Sequence, residues 1–182
     1  PQQQVLEVRD LSIDYGAGPV CAGLTFTVER GDQVALRGAN GAGKSSLLKL
    51  LLGQDIPHTG QVWRSGGLTV SVLPQDTDFL RGKLKDFIRE SGAEEALFKA
   101  ILRKLGFPRI QFDQPLEAYS AGQKKKVLLA RSLCEAAHLY IWDEPLNYVD
   151  IYTRIQLEEL LLTYRPTMVF VEHDQAFTDK VA

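Results

Sequence analysis

The nine residues GANGAGKSS, positions 38–46, constrain this chain more than any other stretch. They match G-x-x-x-x-G-K-[ST], preceded by a short apolar strand, QVALRG, and followed by GKSSLLKLLLG. The second segment is apolar on several sides and predicts a buried helix closed by Gly53. A strand, a glycine-rich turn and a helix N-terminus together form an anion cradle. Glycine lets backbone N–H groups turn inward without a Cβ clash, and the helix end adds partial positive charge. The expected phosphate-contacting positions are Gly38, Asn40, Gly41, Ala42, Gly43, Lys44, Ser45 and Ser46. Lys44 would reach β- and γ-phosphates, and the Ser45 hydroxyl would ligate Mg²⁺.

The remaining pattern alternates strands and helices. QVLEVRDLSIDYG and GLTFTVERGD predict an early strand pair, and GQVWR and LTVSVLP predict two more strands. Residues 82–105 carry two helical segments broken near SGA, and residues 106–117 are irregular. GQKKKVLLARSLCEAA predicts a helix. LYIWDEP and TMVFVEHD are continuous apolar strands of the kind buried on both faces of a parallel sheet. The fold class is therefore α/β, a mostly parallel sheet covered by helices.

Ligands bind at the carboxyl ends of such strands, and three further segments place polar groups there. In LYIWDE, Asp143 is positioned to hold Mg²⁺ through water, and Glu144 to orient or deprotonate an attacking water. His173 in VEHD follows another apolar strand, where its imidazole would meet a γ-phosphate and that water. Gln75 in VLPQD has an amide oxygen suited to a Mg²⁺ shell. Tyr15 in IDYG is either a strand-end aromatic packed on the core or a platform for a base. Neither His58 nor His138 has such support.

AYSAGQKKKV, residues 118–127, is ambiguous on its own: a solvated helix start with a basic face, or a phosphate-binding element. Lys124, Lys125 and Lys126 fall in the first turns of a helix, where the dipole disfavours cations, and read as a solvated face, the sharper alternative being contact with RNA phosphates.

The ordered set Tyr15, Gly38–Ser46, Gln75, Ser120–Gln123, Leu139–Glu144, Asp150 and His173 resembles the nucleotide-binding domain of ABC ATPases over essentially the whole chain. In that family these are the A-loop, Walker A, Q-loop, signature, Walker B with catalytic glutamate, D-loop and H-loop. The resemblance implies an ATP-binding core, an antiparallel β part and a small helical lobe at about residues 76–119. It also assigns Ser120, Gly122 and Gln123 to the nucleotide of a partner domain, in trans. One departure is visible: Ala121 stands where the family pattern, Ser-Gly-Gly-Gln, has its first glycine. SAGQKKKVLLARSLCEAAHLYIWDEPLNYVD looks like the ABC-F branch, and LFKAILRKLGF looks like the second domain of Lsa/Vga-type antibiotic-resistance factors. That likeness implies a cytoplasmic ATPase half of a two-domain ribosome-bound protein without a membrane domain. Its implied ligands are ATP and Mg²⁺. Its implied partners are a second ABC ATPase domain, or a second copy of the fragment, and the ribosome. The other reading is the ATPase subunit of a membrane transporter. A third, a module that holds ATP without hydrolysing it, is disfavoured by the presence of both Glu144 and His173.

Composition agrees with these expectations. A net charge of −2 rules out a general affinity for polyanions, so any nucleic-acid contact is a local patch. Cys21 and Cys134 lack the spacing of a zinc site or a disulfide scaffold, which fits a reduced, intracellular setting. A start without Met and an end inside a predicted helix suggest a domain, residues 1–182, cut from a longer protein.

Overall fold

The computed structural model describes residues 3–16, 18–37 and 41–182, with backbone alone at positions 20 and 41–43. Gly38 and Asn40 of the glycine-rich turn therefore lie outside the described residues.

Among the described residues, seven strands form two sheets. β1 (Gln4–Asp14), β2 (Pro19–Glu29) and β4 (His58–Arg64) make an antiparallel sheet in the order β2-β1-β4. β3 (Gln33–Leu36), β5 (Val70–Leu73), β6 (Leu139–Asp143) and β7 (Met168–Val171) make a parallel sheet in the order β3-β7-β6-β5. The expected mixed α/β architecture is thus present. β1 carries irregular register near Asp10, whose φ is +49°, opposite Gly60. A Cβ at Gly60 would sit 2.3 Å from the Asp10 carbonyl oxygen, so the bulge requires glycine there.

The parallel strands explain the continuous apolar runs. Leu139 and Ile141 of β6, with Val169 and Val171 of β7, pack with β1 and with α1 (Gly41–Leu51) on one face. Trp142, Met168 and Phe170 alternate to the other face. That second core is built with α2 (Leu84–Ser91), α3 (Glu95–Lys104), α4 (Ala121–Cys134), α5 (Ile151–Tyr164) and α6 (Gln175–Val181). A strand buried on both faces has no polar side to expose, which is why its sequence does not alternate. Between α3 and α4, the irregular stretch forms two 3₁₀ turns, Arg109–Asp113 and Leu116–Ala118. A small polar network threads the larger core. The Trp142 indole donates to Ser132 Oγ at 2.8 Å, which pairs with Ser71 Oγ at 2.6 Å.

Among the described residues, no helix is long and apolar enough to cross a membrane.

Candidate active site

Register alone assembles most of the site. Leu36 pairs with Val171, Asp143 with Val171, and Leu73 with Trp142, so β3, β7, β6 and β5 end level with one another. The segments that follow them carry Lys44 and Ser45, His173, Asp143 and Glu144, and Gln75. The sequence-predicted residues from four separated stretches thereby meet at one sheet edge, as the carboxyl-end rule requires.

Glu144 is the hub. Its Oε2 accepts from Gln75 Nε2 at 2.8 Å and from Asn147 Nδ2 at 2.8 Å. Its Oε1 faces His173 Nε2 at 3.0 Å. A carboxylate only accepts, so Nε2 carries the proton in this pairing. The backbone of Glu144 is strained: φ is +49°, in the left-handed region, which costs a non-glycine residue on the order of 1–3 kcal/mol. Its N–H donates to the Val171 carbonyl at 2.8 Å, and its own carbonyl accepts from Asn147 N at 3.2 Å and Lys125 Nζ at 3.3 Å.

Asp143 beside it is partly buried, and burial followed by the Glu144 charge raises its carboxyl pKa above the usual value. Lys125, Lys44 and Lys49 act in the opposite direction. With Asp143, the other two sequence-predicted metal residues, Ser45 and Gln75, would offer only oxygen donors. One carboxylate, a hydroxyl and an amide suit Mg²⁺, which retains waters and takes phosphate oxygens, better than a softer ion. Lys44 is buried at the start of α1. The Tyr15 hydroxyl donates to Ser46 Oγ at 2.9 Å while its ring is 54% exposed. The ring is thus tethered to the phosphate-binding helix and leaves its surface open, rather than packing into the core.

Ser120 caps α4. Its Oγ accepts from Gln123 N at 3.2 Å, and Gln123 Oε1 accepts from Ser120 N at 2.9 Å, a reciprocal capping box. Ala121 is exposed in the first turn. Gly122 is needed within its own molecule: a Cβ there would lie 2.5 Å from the Tyr148 carbonyl oxygen.

The lysine run departs from expectation. Lys125 is 0% exposed and Lys126 is also buried, so the predicted solvated face does not exist at these two positions. α4 inserts between the sheet and the helices, with Val127, Leu128, Leu129 and Ala130 all buried. The unbroken apolar run VLLA was the available signal, because a helix with a solvated face would interrupt it. Burial lowers the Lys125 ammonium pKa from its usual value, against the upward pull of Asp143, Glu144 and Glu172.

Two site residues were not singled out by sequence reasoning. Asn147 holds Glu144, as described. Glu172 is nearly buried and accepts three backbone N–H groups: Leu146 at 3.0 Å, His173 at 2.8 Å and Asp174 at 3.1 Å. Position in VEHD, directly before His173, was the only hint. His138 serves locally, its Nδ1 accepting from Thr69 N at 2.9 Å.

The sequence G-x-x-x-x-G-K-[ST] following β3 and entering α1, with an acid pair and a histidine at the adjoining strand ends, is that of a P-loop nucleoside triphosphatase. A family profile described as ABC transporter matches residues 21–147, and the chain belongs to this family of ATP-hydrolysing domains. It is 33% identical over 98% of its length to "Ribosome protection protein VmlR" of Bacillus subtilis, covering 33% of that protein. It is 32% identical over 99% of its length to "ATP-binding protein Uup" of Caulobacter vibrioides, covering 31% of it. Both relatives are ABC-F proteins, and the chain spans about a third of their length. Among solved structures it resembles the "ATP binding subunit of ABC transporter", with a TM-score of 0.78 and 27% identity over 98% of this chain and 83% of that one.

Proposed function

We propose that residues 1–182 form one nucleotide-binding domain, with a helical lobe at about 76–119, that serves as one ATPase half of a cytoplasmic tandem ABC-F protein. Its partner is a second ABC ATPase domain, and the pair acts on the ribosome to protect it from antibiotics. The observation that carries the catalytic part is the Glu144 carboxylate gathered by Gln75, Asn147 and His173 at the strand ends. The likeness to VmlR supports the ribosomal part.

ATP lies between the glycine-rich turn of this domain and the Ser120 helix start of the other. The Tyr15 ring faces the adenine, and Lys44 meets the β- and γ-phosphates. Ser45, Gln75 and Asp143 would hold Mg²⁺, which would supply charge neutralisation at the phosphates. Glu144 accepts a proton from the attacking water while His173 steadies the γ-phosphate. For a water to reach Glu144, one of its three present contacts yields. Gln75, exposed like His173, would turn toward the metal and leave that oxygen lone pair to the water. Ser120 spends an oxygen lone pair on its cap but keeps its O–H for a partner's phosphate; Gln123 acts chiefly by completing that cap. Closure excludes water, and hydrolysis releases the sandwich.

The test is Glu144→Gln in the full-length protein. It should retain ATP-dependent co-sedimentation with ribosomes while turnover falls at least a hundredfold. Wild-type turnover would remove Glu144 as the base. Fast turnover by the isolated domain, independent of concentration, would remove the composite site. The second reading, a transporter's ATPase subunit, is favoured by the likeness to the solved subunit. It predicts ATP-dependent recovery with membranes instead of ribosomes.

A further inference from the structure

Lys125 is the one fully buried ammonium among the described residues, and the catalytic scheme above does not use it. It lies five residues beyond the Ser120 cap, on the helix that begins at the trans-acting signature. Its Nζ points across to the carboxyl end of β6 and donates to the Glu144 carbonyl oxygen at 3.3 Å. Asp143, Glu144 and Glu172 are the acids whose charge it feels. Burying an ammonium without such partners is costly, so the lysine depends on the cluster.

The peptide it grips is a special one. Glu144 holds a left-handed backbone, φ +49°, and a strained conformation persists only where its surroundings over-determine it. The Val171 carbonyl fixes the Glu144 N–H on one side, at 2.8 Å. Lys125, together with Asn147 N at 3.2 Å, fixes the carbonyl on the other. The direction of the Glu144 side chain follows from that peptide.

We propose that Lys125 is a positioning residue for Glu144: it anchors the strained Glu144 peptide to the signature helix. The helix that contacts a nucleotide on the partner domain thereby also sets the aim of this domain's own base. This rests on the reading of Glu144 as the base. Lys125 is 0% exposed and acts only through Glu144.

The experiment uses the full-length protein with Lys125→Met, Lys125→Gln and Lys125→Arg. Nucleotide affinity is followed by a fluorescent ATP analogue, turnover by phosphate release and folding by thermal melting. Met matches the lysine stem in length and keeps the space filled. The expected result is affinity and KM within about twofold of wild type, with kcat lowered tenfold or more in the Met and Gln variants. Arg, which keeps the charge and a donor, should recover a substantial part of kcat. In a Glu144→Gln background, Lys125→Met should produce no further loss, since its effect passes through the missing carboxylate. Wild-type kcat in a folded Met or Gln variant overturns the proposal. So does a further tenfold loss in the Glu144→Gln background. If Met and Gln do not fold, Arg decides: a folded Arg variant with kcat near wild type supports anchoring by charge and donor, and one as slow as Glu144→Gln overturns it. A Glu144→Gln protein with wild-type turnover would instead defeat the underlying assignment of the base.

Discussion

Gly122 and the Tyr148 carbonyl oxygen touch so closely that a Cβ at Gly122 would lie 2.5 Å from that oxygen. The start of α4 and the loop after β6 are therefore packed together within one molecule. Glycine at this position is a demand of the chain's own fold as well as of any phosphate nearby. Tyr148 adds to the constraint with its own left-handed φ of +68°.

Gly122→Ala should force this loop away from α4. Overpacking of this kind typically costs about 1–3 kcal/mol. We expect a lower melting temperature and at least a tenfold loss of ATP turnover in the full-length protein. Ala121→Gly, one residue earlier and exposed, should change stability by less than about 1 kcal/mol and leave turnover intact. Thermal melts and phosphate release on the two variants side by side check both outcomes.

Asn147→Ala removes one of the two amides on Glu144 Oε2. The remaining Gln75 and His173 contacts should hold the carboxylate less narrowly. The expected outcome is a kcat reduced about tenfold, the scale of a lost orienting contact, with KM for ATP nearly unchanged. A rise in KM with constant kcat would place Asn147 in nucleotide binding instead.

Asp150 caps α5 by accepting from Thr153 N at 2.7 Å. That backbone hydrogen bond, aided by the Thr153 side chain and Lys126, keeps its carboxyl below the usual carboxylate pKa. Asp150→Ala should cost about 0.5–2 kcal/mol, the lower end being expected for an exposed cap. The sign follows from linkage: a depressed folded pKa gives stability that is complete above the unfolded value and is lost as pH falls through the folded one. Urea unfolding should show a constant gap between wild type and variant from neutral pH down to about pH 5, narrowing only below about pH 4.

Cys134, near the end of α4, has its thiol pushed up to about 11 by burial, then by Glu135 and Glu94. Burial also raises the Cys21 thiol. Alkylation uses the thiolate, so at pH 8 Cys134 should react roughly 100-fold more slowly than a free cysteine. Mass spectrometry after iodoacetamide treatment, native against denatured, measures it. Rapid native labelling at Cys134 would contradict the partly buried placement.

The sheet and the placement of Asp143, Glu144 and His173 at strand ends were legible because they depend on local patterns. The apolar runs of β6 and β7, and acids placed directly after a strand, read from neighbours in sequence. What escaped depends on partners far along the chain. Lys125 and Lys126 look solvated until α4 is known to be enclosed. Asn147 matters only because Glu144 turns back toward it through a left-handed peptide. α5 was not delineated because Ile151, Ile155 and Leu162 are exposed while Leu157 and Leu161 are buried, which blurs its amphipathic stripe. The two readings of Tyr15 separate on its exposed ring and its bond to Ser46, neither of which is a property of sequence.

Glu172 has a consequence of its own. One nearly buried carboxylate holds Leu146 N from the loop after β6, and His173 N and Asp174 N from the loop after β7. Two loops hung from a single side chain share a hinge pin. Neither can swing alone without leaving a carboxylate oxygen or an amide unsatisfied in a poorly hydrated place. The backbone at Leu146 and the backbone at His173 therefore answer to one and the same carboxylate.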